Sequence, residues 1–326
     1  VVVFWAGAFT LFQRADILVP LIAPSLALAL AQWLTDLYFG GLARRQRRFI
    51  EQAFGRYLSR DLVRQLMADP SRLRLGGERR ELTILVTDIA GFTSLAEHLA
   101  PETVSTLLNA YFEGVCRAVL DHGGMVNEFL GDSVLAFFGA PVAQPDHRAR
   151  ALAAARAIDR FAEHFRRERN AAGIAFGLTR VGVHGGSAMV GNFGSHERFK
   201  YVALGDTVNT ASRIEGLNKH FGTRLLASGP TAAEADPESV RPLGAVVLKG
   251  RHEALPVVEL LSADPPAPLW LPRYRAAFAL MAAGDPAAAL AFAALVEEVP
   301  ADPVIALHHR RLSEGARDAV VVMREK

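Results

Sequence analysis

Two acidic residues stand out first for the chemistry their type and spacing allow. Asp88 closes the apolar run LTILVTDI (82–89) and precedes AGFT. Asp132 lies 44 positions later, in the Gly131-Asp132 turn of VNEFLGDSVLAFFG (126–139). A strand beside a hairpin can bring two such acids together, and oxygen-liganded Mg²⁺ is held in this way when substrate phosphates complete its shell. Gly91 lets the backbone of IAGFT wrap closely around an anion, with its N–H groups and Thr93 on phosphate oxygens. Singly, a strand-end Asp and a turn Asp are commonplace; their joint arrangement carries the signal. Glu128 places a further carboxylate four residues before Asp132, inside a strand, where a solvent-facing position is the plain reading.

The elements that must position these acids alternate between strand and helix. LTILVTDI reads as a buried strand. Val104, Leu107, Leu108, Tyr111, Val115 and Val119 mark one face of a helix that starts at Pro101 and closes at Gly123-Gly124. MVNEFLGDSVLAFF reads as a hairpin, residues 146–168 as a second amphipathic helix, and IAFGLTRVGVHGG (174–186) as a strand leaving at its glycines. Residues 199–222 give strand, turn and a helix from about Asp206, and TRLLAS, GAVVLKGR and LPVVELL supply the last strands. This βαββαβ-like order predicts an α+β sandwich with helices on one face of a mainly antiparallel sheet.

The 326 residues suffice for one substantial domain with smaller attachments. A net charge of +2 argues neither for nor against a polyanionic partner, and no nucleic-acid partner is expected. The single cysteine, Cys116, excludes a disulfide within one chain and fits a reducing compartment.

The N-terminal residues are apolar enough for a membrane. VVVFWAGAFTLF (1–12) reads as part of a span, and Ile17–Thr35 runs 19 residues without a formal charge. That is a helix of roughly 28 Å, about one hydrocarbon thickness. With Trp33 and Tyr38 as interfacial aromatics, the full span is expected at about 17–40 and the transmembrane segments within 1–43. Arg44, Arg45, Arg47 and Arg48 against a single Arg14 place everything after residue 43 in the cytoplasm, below an inner or plasma membrane. The chain begins at Val1 and is expected to be a piece of something longer. Residues 44–78 read as a helical connector with Ile50, Phe54, Leu58, Leu62 and Leu66 on one stripe, and 79–262 as the main domain. Residues 263–326 read as a linker and a helical hairpin similar to one tetratricopeptide unit, which must dock on the main domain or on a partner because one repeat cannot bury a core.

TDIAGFT, NEFLGDSVLAFFGAP, GVHGGSAMVGNFGSHERFKYVALGDTVNTASRIEGL and VVLKG, in order from about Arg79 to Leu261, together resemble the class III nucleotidyl cyclases, the adenylate and guanylate cyclase family. The apolar segment, basic connector and RLRLGGERRELTILVTDI also resemble bacterial members with an extracellular Chase-type sensor ahead of the membrane, so such a sensor is expected upstream. The resemblance implies a ferredoxin-like βαββαβ catalytic domain that converts ATP or GTP to a 3′,5′-cyclic mononucleotide and pyrophosphate at a head-to-tail homodimer interface. It implies that Asp88 and Asp132, with the Ile89 carbonyl, hold two divalent cations, Mg²⁺ or Mn²⁺, about 4 Å apart. It puts Gly91, Phe92 and Thr93 on the substrate. Asn209 would orient the ribose, and Arg213, one helical turn on, would neutralise charge on the pentavalent phosphorus. Lys249 would hold the β- and γ-phosphates. The acids of one chain would meet the Asn/Arg/Lys set of the other, so a monomer would carry two half-sites. Outside these blocks Arg213 reads as a surface ion-pair residue and Lys249 as a solvated strand end. His184 and His196 lack metal-ligand partners at usable spacing and read as structural.

Glu128 and Val202 match the positions at which this family reads the purine: lysine with Asp or Thr in adenylate cyclases, glutamate first in guanylate cyclases. A carboxylate accepts well from guanine N1–H and the 2-amino group, whereas adenine N1 would face it lone pair to lone pair, a mismatch of about 1–3 kcal/mol when buried. Glu128 therefore leans to GTP. Val202 serves neither base, so both nucleotides stay open. Two rival readings are a non-catalytic cyclase-like module that binds nucleotide and relays a signal, and another two-metal α+β enzyme such as a polymerase-palm relative or a diguanylate cyclase. The joint presence of Asp88, Asp132, Asn209 and Arg213 speaks against the first. The GDTVN block and the lack of a GGDEF-type turn speak against the second.

Overall fold

The computed structural model describes residues 2–15, 25–35, 37–38, 76–194, 199–248, 253–261 and 268–323. It divides into two units, Val1–Arg56 and Tyr57–Lys326. In the first, helix α1 (Val2–Ala15) and helix α2 (25–35) are tied by Trp5 Nε1, which donates to Ser25 Oγ at 2.8 Å. Among the described residues no helix is long and apolar enough to cross a membrane. The span expected at 17–40 is described only at 25–35 and 37–38, and the connector stripe at 44–69 lies outside the described residues.

The second unit is built on a nine-stranded sheet. Strand β1 (Gly76–Ile89) is followed by helices α3 (Phe92–His98) and α4 (Pro101–Asp121), then by the hairpin β2 (Met125–Leu130) and β3 (Ser133–Phe138). Helix α5 (His147–Ala171), strands β4 (Thr179–Gly194) and β5 (Phe199–Leu204), helix α6 (Asp206–Phe221), strand β6 (Leu225–Ser228) and the one-turn α7 (Gly229–Ala232) come next. Strands β7 (Val240–Val247) and β8 (Ala254–Leu260), helices α8 (Leu271–Ala282), α9 (Ala287–Glu298) and α10 (Pro303–Ser313), and strand β9 (Val320–Val322) complete it. The order across the sheet is β2-β3-β1-β4-β6-β8-β7-β9, with β5 on β4. The β4–β6 and β7–β9 pairs are parallel and the others antiparallel.

The second half of strand β1, from Leu82 to Thr87, is buried throughout. Leu82, Ile84, Leu85 and Val86 are all buried, as expected of a strand covered on both sides. One core gathers Leu85, Ile89 and Val134 with Tyr111 and Val119 of α4 and Ile158 of α5. The predicted stripe of α4 is the buried one: Leu107, Tyr111, Val115 and Val119 face inwards.

Three expectations are corrected. The helices do not lie on one face: Val181 and Val183 of β4 share a core with α4 and α5, whereas Gly182 between them faces α6. Strand β4 does not leave at Gly185-Gly186 but runs on to Gly194, because the first residues of β1 pair with it as far as Gly76↔Asn192. The C-terminal part is not a helical hairpin alone: α8 and α9 are joined by α10 and by β9, which extends the sheet along β7 (Ala245↔Val320, Val247↔Val322). The C-terminal segment docks on the main domain, one of the two placements expected for it.

The physical reason is a second core. Ile214, Leu217 and Phe221 of α6 and Leu243, Val246 and Val257 of the sheet are covered by Tyr274, Phe292 and Ile305 from the C-terminal helices. Arg241 of β7 anchors this layer. Its buried guanidinium donates to Glu259 Oε2 at 2.6 Å and to Asp302 Oδ2 at 2.7 Å, and lies 5.3 Å from the Trp270 ring centroid. Asp302 also caps α10 by accepting from Val304 N and Ile305 N at 3.0 and 2.9 Å.

Candidate active site

Asp88 and Asp132 meet at one end of the sheet. Strands β3 and β1 are neighbours in register down to Thr87↔Val134, which sets the two-residue β2–β3 turn beside the end of β1. Gly131 takes a left-handed φ of 66° in that turn, a conformation that costs glycine little and permits so short a connection. Reciprocal hydrogen bonds then stitch the two loops. Asp132 Oδ2 accepts from Ile89 N at 3.1 Å, and Ser133 Oγ donates to Asp88 Oδ1 at 2.9 Å. One residue deeper, Thr87 Oγ1 accepts from Val134 N at 3.2 Å.

The electrostatics of the pair favour a cation. The Asp132 carboxyl is pushed above its ordinary value, first by burial and then by the Asp88 charge, while the Ile89 N–H acts the other way. Two partly buried carboxylates held side by side offer oxygen donors suited to a hard dication. Among the described residues no cluster of three or more His, Cys, Asp or Glu side chains fits a metal ion. A cation here would therefore need substrate or water oxygens to complete its shell, as Mg²⁺ commonly does.

The neighbouring expected residues fall as follows. Gly91, with φ 72°, precedes α3; Phe92 is buried in the core, and Thr93 is exposed at the start of the helix. Asn209 and Arg213 lie one turn apart on α6, Asn209 exposed and Arg213 partly buried, opposite the face that buries Ala211, Ile214 and Leu217. This helix lies tightly on β4: a Cβ at Gly182 would stand 2.3 Å from Glu215 N and 2.6 Å from Ala211 O. Lys249 and His196 lie outside the described residues. His184 is buried on β4 with Nδ1 2.8 Å from Ser228 Oγ, a structural position.

Glu128 is placed by a bulge. The β2–β3 register shifts between Val126 and Glu128, so that Val126 and Asn127 are both buried and Glu128 turns out half-exposed. There its Oε1 accepts from Lys200 Nζ on β5 at 2.9 Å. Val202 follows two residues after Lys200 on the same face of β5, while Tyr201 and Ala203 between and after them are buried.

Three contributors escaped the sequence reading. Ser133 was in view as the residue after the turn, and its small hydroxyl beside two acids was a usable signal. Lys200 lies 72 positions from Glu128 and gave none. Glu215, two residues beyond Arg213 on α6, is mostly buried, with Oε1 lacking a hydrogen-bond partner. Burial first, then the charges of Asp88 and Asp132, push its carboxyl up to about 7, against the opposing pull of Arg180. Arg180 is also the cross-strand partner of Asp88.

A mixed sheet with two acids at a strand end and a helix packed on β4 is the architecture of a two-metal α+β enzyme. The sequence model described as "Adenylate and Guanylate cyclase catalytic domain" matches residues 77–254, and the chain belongs to this family. It is 40% identical over 209 residues to Adenylate cyclase 1 of Rhizobium meliloti, covering 64% of this chain and 31% of that protein. Among solved structures, the adenylyl cyclase CyaB from P. aeruginosa is 31% identical with a TM-score of 0.53, covering 58% of this chain and 97% of that one. The guanylyl cyclase Cya2 is 32% identical with a TM-score of 0.52, covering 60% of this chain and 100% of that one. The chain spans about a third of the length of the curated relatives it matches.

Proposed function

We propose that this chain is a purine nucleotide cyclase that converts ATP or GTP to a 3′,5′-cyclic mononucleotide and pyrophosphate in intracellular signal transduction. The observation that carries the reading is the reciprocal tie of the two acids, Ser133 to Asp88 and Ile89 N to Asp132, in a chain of the cyclase family. Asp88, Asp132 and the Ile89 carbonyl would hold two divalent cations, Mg²⁺ or Mn²⁺. Bound there, such ions lower the pKa of the ribose 3′-hydroxyl and neutralise the triphosphate. Gly91, Phe92 and Thr93 line the phosphate path, Asn209 orients the ribose, Arg213 stabilises charge on the α-phosphorus, and Lys249 binds the β- and γ-phosphates.

The active unit in this reading is a homodimer, since Asn209 and Arg213 are offered outwards on α6 while the acids are held at the strand end. The N-terminal segment anchors the chain in the membrane, with the catalytic domain on the cytoplasmic side. Its support is the apolar surface of α1 and α2, where Phe9, Leu26 and Trp33 are 61%, 65% and 59% exposed.

Mixing chains tests the reading. Asp132→Ala and Arg213→Ala proteins should each be inactive with Mn²⁺ and either nucleotide. Random co-assembly should restore roughly a quarter of the wild-type rate, because half the dimers carry one intact site. No recovery in a folded, dimeric mixture would overturn the shared-site reading, and no cyclic nucleotide from the wild type would overturn the activity.

A further inference from the structure

Glu128 is not a lone carboxylate in the structure. Lys200 Nζ stands 2.9 Å from Glu128 Oε1, with both side chains 43% exposed, so the pair is neither sealed in the core nor lost in bulk solvent. Lys200 and Val202 project from the same face of β5, and Val202 is the residue whose apolar side chain leaves the second base-reading position without a hydrogen-bonding group. The bulge at Asn127 is what turns Glu128 towards β5. One carboxylate oxygen is bound by Lys200, and the other remains an acceptor; the ammonium group keeps two further N–H donors.

The hydrogen-bonding consequence is specific. Adenine presents an acceptor, N1, next to a donor, the 6-amino group. A lone carboxylate can satisfy only the amino group and opposes N1 with its own lone pairs. A carboxylate with an ammonium beside it offers acceptor and donor side by side, which is the complement of that edge. Guanine, with N1–H and 2-amino donors, is matched by the carboxylate alone.

We infer that Lys200 is a specificity-determining residue of this site: beside Glu128 it forms a donor–acceptor pair that admits the adenine edge of ATP, which Glu128 by itself would reject. The inference rests on the cyclase reading proposed above and on Glu128 and Val202 facing the purine. Lys200 then supplies from β5 the donor that Glu128 lacks on β2, and the chain uses ATP.

The test is the ratio of kcat/KM for ATP to that for GTP, measured on the full chain with Mn²⁺. Lys200→Met should lower kcat/KM for ATP by about 10- to 100-fold and leave that for GTP within about threefold, so the ratio collapses. Lys200→Arg, which keeps a cationic donor beside Glu128, should hold the ratio within about threefold of wild type. A pair that merely braces β2 against β5 would shift the thermal midpoint of Lys200→Met without moving the ratio. An unchanged ratio, or a wild-type enzyme that turns over GTP and not ATP, overturns the inference while leaving the cyclase reading intact. If the wild type cyclises neither nucleotide, the cyclase reading fails instead. The same ratio is then read from displacement of a bound fluorescent N-methylanthraniloyl nucleotide by ATP and by GTP, with the same outcomes deciding.

Discussion

The two halves of the candidate site are held by different means. Asp88 and Asp132 sit on the first core, above Leu85, Ile89 and Val134, and hydrogen bonds from Ser133 and Ile89 fix their carboxylates. Asn209 and Arg213 sit on α6, whose inner face belongs to the second core, and that core is closed by the C-terminal helices. The acid half is therefore a local device of one strand end and one turn. The helix half depends on residues 271–321, more than fifty positions further along the chain. The contrast teaches that a segment outside the family-matched region 77–254 can govern one half of the site and not the other.

Breaking the acid half should give the largest effect. Asp88→Ala removes a group to which a cation would be bound and is expected to lower turnover by about 10³-fold or more, with circular dichroism and melting unchanged. A variant that keeps activity would detach the acids from the chemistry.

The helix half should be vulnerable from a distance. Asp302→Ala removes both the cap of α10 and a buried partner of Arg241, leaving that guanidinium without one of its two carboxylates. A loss of about 3–5 kcal/mol is expected in urea unfolding. In the folded fraction kcat should fall, while the Mn²⁺ concentration giving half-maximal rate stays within about twofold. A shift in metal dependence equal to the fall in kcat would erase the distinction between the halves.

His308 sharpens the same contrast through pH. It is buried among Tyr274, Phe278 and Phe292, and neither ring nitrogen has a hydrogen-bond partner. Burial first, then the charges of Arg311 and Arg241, hold its pKa down at about 3, against an ordinary 6.5. Between these values the unfolded chain binds the proton and the folded chain does not. Its contribution is therefore present above about pH 6.5 and is lost as pH falls towards 3, on the order of a few kcal/mol in all. His308→Phe should raise the urea midpoint relative to wild type at pH 4, and the gap should narrow by pH 8. An equal gap at both would mean packing, not protonation, sets the difference.

The smallest effect is expected at Ser133→Ala. Losing the hydroxyl that orients Asp88 should cost about 1 kcal/mol and raise the half-saturating Mn²⁺ severalfold, with kcat at saturating metal nearly kept. A fall in kcat without a change in metal dependence would show that Ser133 acts elsewhere.

Much of this was legible in the chain because the signals are local. The period of the apolar residues in 101–121 gave the buried face of α4, and the Gly-Asp pair between two apolar runs gave the hairpin and the place of Asp132. The spacing of Asn209 and Arg213 fixed their common face on α6. What failed was non-local. The extension of β4 past its glycines depends on pairing with β1, over a hundred residues earlier, and the β9 addition depends on the edge of β7, more than seventy residues before it. Glu128 stands as an isolated acid in the sequence because its bulge and its partner Lys200 leave no mark in either local pattern.

By itself, then, the sequence determined the residue types, the periodicities and the family to which they belong. The tertiary structure alone decided which charges stand together: Asp132 against Asp88, Lys200 against Glu128, Arg241 between Glu259 and Asp302. Periodicity and turn chemistry act over a few residues. Burial and Coulomb forces act through space, between groups that only folding brings within reach.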